Sequence, residues 1–232
     1  MKKKFVILSG AGVSAESGIK TYRDSDGLWE NYKVTDVAHI DAWYRDPALV
    51  LQFYNERREQ LRTAQPNDAH LLIAGLERYY DVTVVTQNID NLHEKGGSTS
   101  VIHLHGEAAK VRPDGEDYFK GVKDVGYEPV NIGDTDEFGR QYRPHIVWFG
   151  ENVPMFDKAA EVVAEADILL IIGTSLVVYP AAGLVGYSSR GIPIYLIDPK
   201  PMDLHYSNFT QIQDVATSGM KKLYEILKLE KQ

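Results

Sequence analysis

Short apolar runs recur along the chain, and several of them are continuous rather than alternating with polar residues. They are rich in Val and Ile and occupy residues 5–8, 82–86, 101–104, 146–149, 168–172 and 192–197. Continuous runs of this kind are typical of parallel strands that are buried on both faces. Helical patterns lie between some of them, over residues 47–62, 67–79, 156–166, 180–189 and 218–231. The alternation predicts an α/β fold with a doubly wound, parallel, Rossmann-like sheet.

Two stretches do not fit this alternation. Residues 32–80 are predicted to form a mainly helical insertion, while residues 107–143 are polar, rich in Gly and Asp, and without a periodic apolar face. We therefore predict a three-part organisation: a Rossmann-like domain, the helical insertion and a small module. The Rossmann-like domain comprises residues 1–31, 81–106 and 144–232.

The first apolar run leads into a glycine-rich turn. Gly10, Gly12 and Ala15 fit the dinucleotide-binding fingerprint with Ala in its third place, and glycines allow the backbone to approach a pyrophosphate closely. By itself such a turn after a strand is more often only a turn. The ordinary Rossmann helix is also cut short here by Gly18, and residues 21–29 read as a loop rather than a second strand.

Polar side chains follow several predicted strands. Residues 87–90 come after the second run, His105 after the third, and residues 173–175 after the fifth. In a parallel sheet the carboxyl ends of the strands meet at one edge, where ligands bind. The pattern indicates a nucleotide held at one end of this edge and chemistry performed at the other.

Composition limits the function classes. The 232 residues carry a net charge of −8 and include no cysteine. An acidic chain without a basic stripe is not expected to bind nucleic acid. Without cysteine, a disulfide framework, a thiolate nucleophile and a cysteine zinc site are excluded. No apolar run approaches the length that spans a bilayer, so we expect no membrane partner and a cytoplasmic location.

Seven motifs together resemble the sirtuin family, and they occur in the order that the family has. They are residues 10–19, 21–24, 26–29, 86–90, 103–107, 144–151 and 173–176. The resemblance covers nearly the whole chain and is closest to compact bacterial-type sirtuins, which are NAD-dependent protein-lysine deacylases. The exception is the interior of residues 108–143. In the family, the residues that match 107–143 form a zinc ribbon held by four cysteines, which this chain lacks.

The resemblance implies a set of cofactor-binding residues, with NAD as the cofactor. They are Gly10, Ala11, Gly12, Ser14, Tyr22, Arg23, Gln87, Asn88, Ile89, Asp90, Gly173, Thr174, Ser175 and Asp198. Asp198 can accept hydrogen bonds from adenosine ribose hydroxyls and disfavours a 2′-phosphate, which favours NAD over NADP. Glu16 is expected to order the phosphate loop rather than to contact NAD.

The implied catalytic residues are His105, Asn88 and Asp90. In a sirtuin-like reaction the substrate amide oxygen attacks the ribose carbon as nicotinamide leaves, and a base then activates a ribose hydroxyl. His105 suits that base because imidazole titrates near neutral pH. Asp90 can accept from the carboxamide of nicotinamide, and Asn88 can hold ribose hydroxyls or a water. His103 is expected to pack behind the site.

The implied substrate-binding residues lie in two groups. In sirtuins the peptide inserts as a strand between segments that match residues 147–151 and 176–179, which gives Val147, Phe149, Gly150, Glu151 and Val178. Tyr54 and Arg57 stand one helical turn apart. In sirtuins with this Tyr-x-x-Arg pair, the acyl pocket accepts succinyl or malonyl groups.

The resemblance leaves three hypotheses open. The first is a deacylase that removes succinyl, malonyl and acetyl groups from lysine in proteins or peptides, releasing nicotinamide and O-acyl-ADP-ribose. The second is an NAD glycohydrolase or ADP-ribosyltransferase that uses the same cleavage site. The third is a non-catalytic NAD-sensing module. The sequence determines neither the oligomeric state nor the preferred acyl group.

The small module is expected to hold without zinc or any other metal. Its order should then come from aromatic and apolar contacts made by Tyr118, Phe119, Val122, Val125, Tyr127, Val130, Ile132, Phe138 and Tyr142.

Overall fold

Strands and helices alternate over most of the chain in the computed structural model, which describes residues 2–20, 28–29, 32–176, 178–202 and 206–230. The strands are β1 (Lys4–Ser9), β2 (Leu28–Trp29), β3 (Tyr32–Lys33), β4 (Asp81–Thr86), β5 (Val101–His103), β6 (Gly106–Pro113), β7 (Lys123–Asp124), β8 (Tyr142–Ile146), β9 (Ile168–Ile172), β10 (Ile194–Ile197) and β11 (Phe209–Ile212). The α-helices are α1 (Val34–Val37), α2 (Ile40–Arg45), α3 (Pro47–Thr63), α4 (Asp68–Gly75), α5 (Leu92–Lys95), α6 (Phe156–Ala164) and α7 (Ala216–Ile226).

Six of these strands form one parallel sheet in the order β11-β10-β9-β1-β4-β5. With the chain entering at the centre and winding first to one side and then to the other, this is the Rossmann strand order. The central strand β1 is buried from Phe5 to Leu8, which explains its continuous apolar sequence. The predicted α/β fold with a doubly wound parallel sheet is therefore confirmed.

One sequence pattern was interpreted wrongly. Residues 146–149 do not form a parallel strand, because β8 ends at Ile146 and pairs antiparallel with β6 instead. Ile146 and Trp148 are nevertheless buried, so the segment carries the same apolar signal as a sheet strand. The helix predicted over residues 180–189 is present as a 3₁₀ helix, Ala181–Tyr187.

The chain divides into two compact units. Unit 1 comprises Met1–Ile19, Gln65–Leu104 and Met155–Gln232, and unit 2 comprises Lys20–Ala64 and His105–Pro154. These boundaries differ from the predicted three-part division. The helix α4 belongs with the parallel sheet because it packs on α7, where the Tyr224 hydroxyl donates to the Leu72 carbonyl at 2.6 Å.

In unit 2, α3 packs against the small antiparallel sheet β7-β6-β8. The helix begins where the sequence predicts, with Pro47 in the first turn and the Asp46 carboxylate accepting from Leu49 N at 3.0 Å. Asn55 exchanges two hydrogen bonds with the backbone of Val130, at 3.0 and 2.9 Å. The guanidinium of Arg58, which is fully buried, donates to the Ala108 carbonyl at 3.1 Å.

The predicted apolar packing of residues 107–143 is wrong for four of the nine side chains proposed for it. Phe119, Val122, Ile132 and Phe138 are exposed, and only Val130 is placed in the core. Polar contacts are prominent instead: Arg140 pairs with Asp136 and Glu116, and the Gln141 amide donates to three backbone carbonyls. Among the helices of the described residues, none has the length and apolar character needed to cross a membrane.

Candidate functional site

The glycine turn after β1 packs tightly against the turn after β9. Gly12 N donates to the Gly173 carbonyl at 2.8 Å, and a Cβ on Gly12 would lie 2.7 Å from the Gly173 Cα. Gly173 itself has φ +62°. These glycines are therefore required by the close approach of two neighbouring strand ends, before any ligand is considered. The turn continues as two 3₁₀ turns and stops at Gly18, as its early position predicts.

Ser14 is the centre of a buried polar cluster in unit 1. Its hydroxyl accepts from the Asn88 amide at 3.2 Å and donates to Asp90 Oδ2 at 3.0 Å. Asp90 Oδ1 accepts from Leu92 N at 3.1 Å. Burial raises the pKa of Asp90, and its three hydrogen-bonding or charged neighbours only partly offset this. The structure thus brings three of the predicted site residues into one hydrogen-bonded group.

Two buried histidines that the motifs did not single out, His70 and His93, lie beside this cluster. His70 Nδ1 accepts from Asn67 N at 3.3 Å, so its Nε2 carries the hydrogen and donates to Ser14 Oγ at 3.4 Å. His93 Nε2 lies 2.9 Å from Ser9 Oγ, and the two imidazole rings are 5.0 Å apart. Burial lowers the pKa of His70 to about 4 and that of His93 to about 3, so both are neutral at pH 7. The one feature of the sequence that pointed to an ordered imidazole was the position of His70, three residues after the helix cap Asn67.

His103 lies behind Asn88, as expected. Its Nδ1 is 3.0 Å from the Asn88 carbonyl and its Nε2 is 2.8 Å from Glu94 Oε1. Both partners are oxygen acceptors, so each ring nitrogen lies where it can donate a hydrogen bond when it carries a hydrogen. This arrangement fixes the backbone at Asn88, the residue whose amide reaches Ser14.

The remaining predicted cofactor residues of unit 1 lie at strand ends. Gln87 Nε2 donates to Thr174 Oγ1 at 3.1 Å and so joins the ends of β4 and β9. Asp198 follows β10, is buried, and accepts from Lys200 N at 3.0 Å. Glu16 binds Thr217 in the first turn of α7, at 2.7 and 3.0 Å, and thereby anchors the glycine turn. Tyr22 and Arg23 lie outside the described residues.

His105 is the first residue of the second segment of unit 2 and is half-buried. Its carbonyl accepts from Val147 N at 2.9 Å. The next residue, Gly106, has φ +81°, and a Cβ there would lie 2.0 Å from the His145 carbonyl oxygen. Only glycine fits this position, so the backbone next to His105 is fixed by the close antiparallel pairing of β6 and β8 at Gly106 and Ile146.

The predicted peptide-binding segment is partly engaged within unit 2. Phe149 N donates to the Ala38 carbonyl and Ile40 N donates to the Phe149 carbonyl, both at 3.0 Å. Arg143 binds the Glu151 carboxylate through two hydrogen bonds of 2.8 and 2.9 Å, and that carboxylate also accepts from Trp148 N.

In unit 1, the Val178 carbonyl accepts from Ala182 N at 2.9 Å. The role of both segments in binding a peptide stays a prediction.

The helix α3 carries the predicted acyl-selecting pair. Tyr54 is 0% exposed and Arg57 is 7% exposed, so neither is a solvated surface residue. The Arg57 guanidinium lies over the Phe53 ring, 5.0 Å from its centroid. The Tyr54 hydroxyl accepts from Trp148 Nε1 at 2.9 Å, and burial raises the pKa of Tyr54, which keeps the hydroxyl protonated.

The described residues do not fit a zinc ribbon. Residues 107–143 contain no cysteine and no histidine. Among the residues that the structure describes, no group of three or more His, Cys, Asp or Glu side chains is placed to hold a metal ion.

Comparison with known proteins identifies one family and relatives that share one name. The Sir2 family model matches residues 10–180. A protein of Bacteroides thetaiotaomicron named NAD-dependent protein deacylase is 51% identical over 230 residues, which cover 97% of this chain and 98% of that protein. A Helicobacter pylori protein of the same name is 47% identical over 224 residues, covering 95% of this chain and 96% of its own length.

Solved structures agree. A crystal structure of a Sir2 homologue–NAD complex has a TM-score of 0.86 at 38% identity, covering 98% of this chain and 90% of the other. A Sir2–p53 peptide–NAD⁺ structure has a TM-score of 0.79 at 28% identity, covering 98% of this chain and 94% of the other.

Proposed function

The chain belongs to the Sir2 family and is an NAD-dependent protein deacylase, and from this premise we propose that it removes succinyl and malonyl groups as well as acetyl groups from lysine. The observation that carries the proposal is the burial of Tyr54 and Arg57 on one face of α3. An arginine on a helix is usually solvated, and burying one is costly unless it is paired or has a specific role.

The chemistry of this pair suits an acidic acyl group. A guanidinium presents a planar fork of donors that matches a carboxylate. The protonated Tyr54 hydroxyl supplies a further donor. A terminal carboxylate on the acyl chain is acceptor-only and would satisfy both, whereas an acetyl group offers neither contact.

The residues around the two strand-end turns support the same reaction. NAD supplies the ribose carbon that receives the acyl oxygen as nicotinamide departs. We infer that His105 is the general base and that Asp90 accepts from an amide donor. We assign Asn88 to holding a hydroxyl or water, its amide being fixed by Ser14. The buried Asp198 carboxylate favours ribose hydroxyls and repels a 2′-phosphate, which supports NAD rather than NADP.

We further propose that residues 107–143 work without zinc. The absence of cysteine removes the thiolates that hold such a ribbon. The pairing of Arg140 with Asp136 and Glu116, and of Asn55 with Val130, provides order in their place.

The acyl preference is tested by Arg57→Met, with Arg62→Met as the matched control on the same helix. Arg62 is exposed and pairs with Glu59. A charge-assisted hydrogen bond contributes about 1.5–3 kcal/mol, so Arg57→Met should raise KM for a succinyl-lysine peptide about 10- to 150-fold. Acetyl-lysine turnover should be largely spared, and Arg62→Met should resemble the wild type.

Equal losses of Arg57→Met on both peptides would contradict the proposal. The assay also follows nicotinamide release, and release that does not require an acyl-lysine peptide would favour NAD glycohydrolysis.

A further inference from the structure

The Tyr54 hydroxyl has a fixed hydrogen-bond polarity. Trp148 Nε1 lies 2.9 Å from the Tyr54 oxygen, and both side chains are buried. An indole N–H can only donate, so the Tyr54 oxygen is the acceptor of this bond. The hydroxyl hydrogen must then point towards a different partner, because a lone pair already faces the indole.

Trp148 is held from several sides. The Arg143 guanidinium stacks on its ring, with Cζ 3.7 Å from the ring centroid, and Trp43 packs on it at 5.7 Å. The backbone N of Trp148 donates to Glu151 Oε2 at 2.9 Å. Glu151 in turn receives the two hydrogen bonds of Arg143 and a longer one of 3.5 Å from Arg112.

The arginines are themselves fixed. Arg112 is 5% exposed and Arg143 is 4% exposed, and both donate to the Ile146 carbonyl, at 3.3 and 3.4 Å. A bidentate, buried arginine–carboxylate pair has one well-defined geometry, unlike an exposed pair. The position of the indole is therefore determined by a rigid charged cluster on β6, β8 and the turn after β8.

We propose that Trp148 is a positioning residue for acyl selection: its indole N–H occupies the Tyr54 oxygen, so that the hydroxyl donates to the terminal carboxylate of a bound acyl group. Arg143 and Glu151 hold the indole in place. This inference rests on the proposed preference for acidic acyl groups. The hydrogen bond is expected to raise kcat/KM only for acyl groups that end in an acceptor, because an acetyl group has no terminal acceptor for the Tyr54 hydroxyl.

The hydrogen bond is tested without any activity measurement. In protein labelled with ¹⁵N at tryptophan, the indole resonances are assigned from Trp148→Phe and Trp43→Phe. Tyr54→Phe should shift the Trp148 indole proton upfield because it loses its acceptor, and should leave the Trp43 indole proton nearly unchanged. An unmoved Trp148 resonance would show that the bond is absent in solution and would overturn the inference.

Selectivity is tested with Trp148→Phe, using Trp43→Phe as the matched control. One neutral hydrogen bond contributes about 0.5–1.5 kcal/mol, so Trp148→Phe should lower the succinyl-to-acetyl ratio of kcat/KM about 2- to 12-fold. Trp43→Phe also replaces a buried indole with a smaller ring in the same stack, but it leaves the Trp148–Tyr54 hydrogen bond and the contacts of Trp148 with Arg143 and Glu151 in place, so no change in the ratio is expected.

A double mutant shows whether Trp148 acts through Tyr54. In the Tyr54→Phe background, Trp148→Phe should cause no further fall in the ratio. An equal fall in both backgrounds, or an unchanged ratio in Trp148→Phe, would refute the inference.

The conservative Glu151→Gln, which weakens the hold on Arg143, should lower the ratio in the same direction. Glu151→Gln replaces Trp148→Phe as the test if Trp148→Phe does not fold. An unchanged ratio in Glu151→Gln would then contradict the inference.

The two proposals fail in different ways. If Arg57→Met reduces desuccinylation selectively while Trp148→Phe leaves the ratio intact, the acyl preference stands and the role of Trp148 is refuted. If neither variant alters the ratio, the preference for acidic acyl groups is refuted, and the indole resonance still reports whether the hydrogen bond forms.

Discussion

His105 is presented by a backbone that tolerates no other residue than glycine at the next position. Replacing His105 by Ala leaves Gly106 and the antiparallel pairing of β6 and β8 unchanged. We expect His105→Ala to bind NAD with unchanged affinity and to lose about 10²–10⁴-fold in deacylation rate, the usual contribution of a general base. Titration with NAD and a steady-state assay on an acetyl-lysine peptide measure the two quantities. Near-normal turnover would remove the assignment.

The sequence predicted which residues belong to the candidate site, but it did not predict their hydrogen-bond partners. The order of motifs predicted Ser14, Asn88 and Asp90 as site residues, and the structure joins them through one hydroxyl. Apart from the position of His70 three residues after the cap Asn67, nothing in the spacing indicated that His70 and His93 lie next to them, because lone histidines carry no pattern. Glu151 lies in the segment predicted to pair with a peptide, and its carboxylate is bound by Arg143, a pairing that depends on the turn between them and that the sequence did not indicate.

At the scale of elements, periodicity succeeds where a helix or strand is regular. The cap and first-turn proline of α3 were readable, because Asp46 and Pro47 act locally. The segment after β8 was not, since burial in unit 2 gives Trp148 the same apolar signature as a sheet strand. The short, half-exposed edge strand β11 has no continuous apolar run and was missed for that reason.

The small module is the element whose order the sequence misjudged, and it gives a testable consequence. Arg140 binds both Asp136 and Glu116, so it links two turns of residues 107–143. We expect purified protein to contain no stoichiometric zinc, and chelator to leave Tm and activity unchanged. Arg140→Met should lower Tm by about 2–4 °C, the shift that a loss of roughly one interaction produces in a chain of this size.

Arg190→Met provides the control for Arg140→Met, since Arg190 is exposed and lies in unit 1. Stoichiometric zinc in elemental analysis, or unfolding on chelation, would show that the module has metal ligands after all. An Arg140→Met protein as stable as Arg190→Met would show that the ion pairs do not order it.

At the scale of the whole molecule, the doubly wound parallel sheet followed from the alternation of elements, whereas the division into units did not. Alternating strands and helices admit few right-handed parallel topologies, so the sheet was predictable. The grouping of α4 with the parallel sheet depends on its contacts with α7. One of them is the hydrogen bond between Leu72 and Tyr224, which are 152 residues apart in the chain. Such a contact leaves no trace in local periodicity.

The buried titratable groups predict how the stability of the protein depends on pH. His70 and His93 bind a proton when unfolded below about pH 6.5, but in the folded protein only near pH 4 and pH 3. Between these values the unfolded state holds more protons, so stability falls as pH falls. Each imidazole contributes a slope on the order of 1 kcal/mol per pH unit in this window. Asp90 acts in the opposite sense, because its raised pKa lets the folded state take up a proton first as pH falls.

Two variants separate these contributions. His93→Gln keeps a hydrogen-bonding group near Ser9. Between pH 6.5 and 4 the unfolding free energy of this variant should fall less steeply with falling pH, because about half of the slope that the two histidines contribute is removed. Asp90→Asn should steepen the loss at the acid end, because it removes a group that favours the folded state there. Urea unfolding at half-unit steps of pH measures both slopes. If His93→Gln leaves the slope of the wild type unchanged, the imidazole is not buried neutral, and the cluster around Ser14 is more open to water than its hydrogen bonds imply.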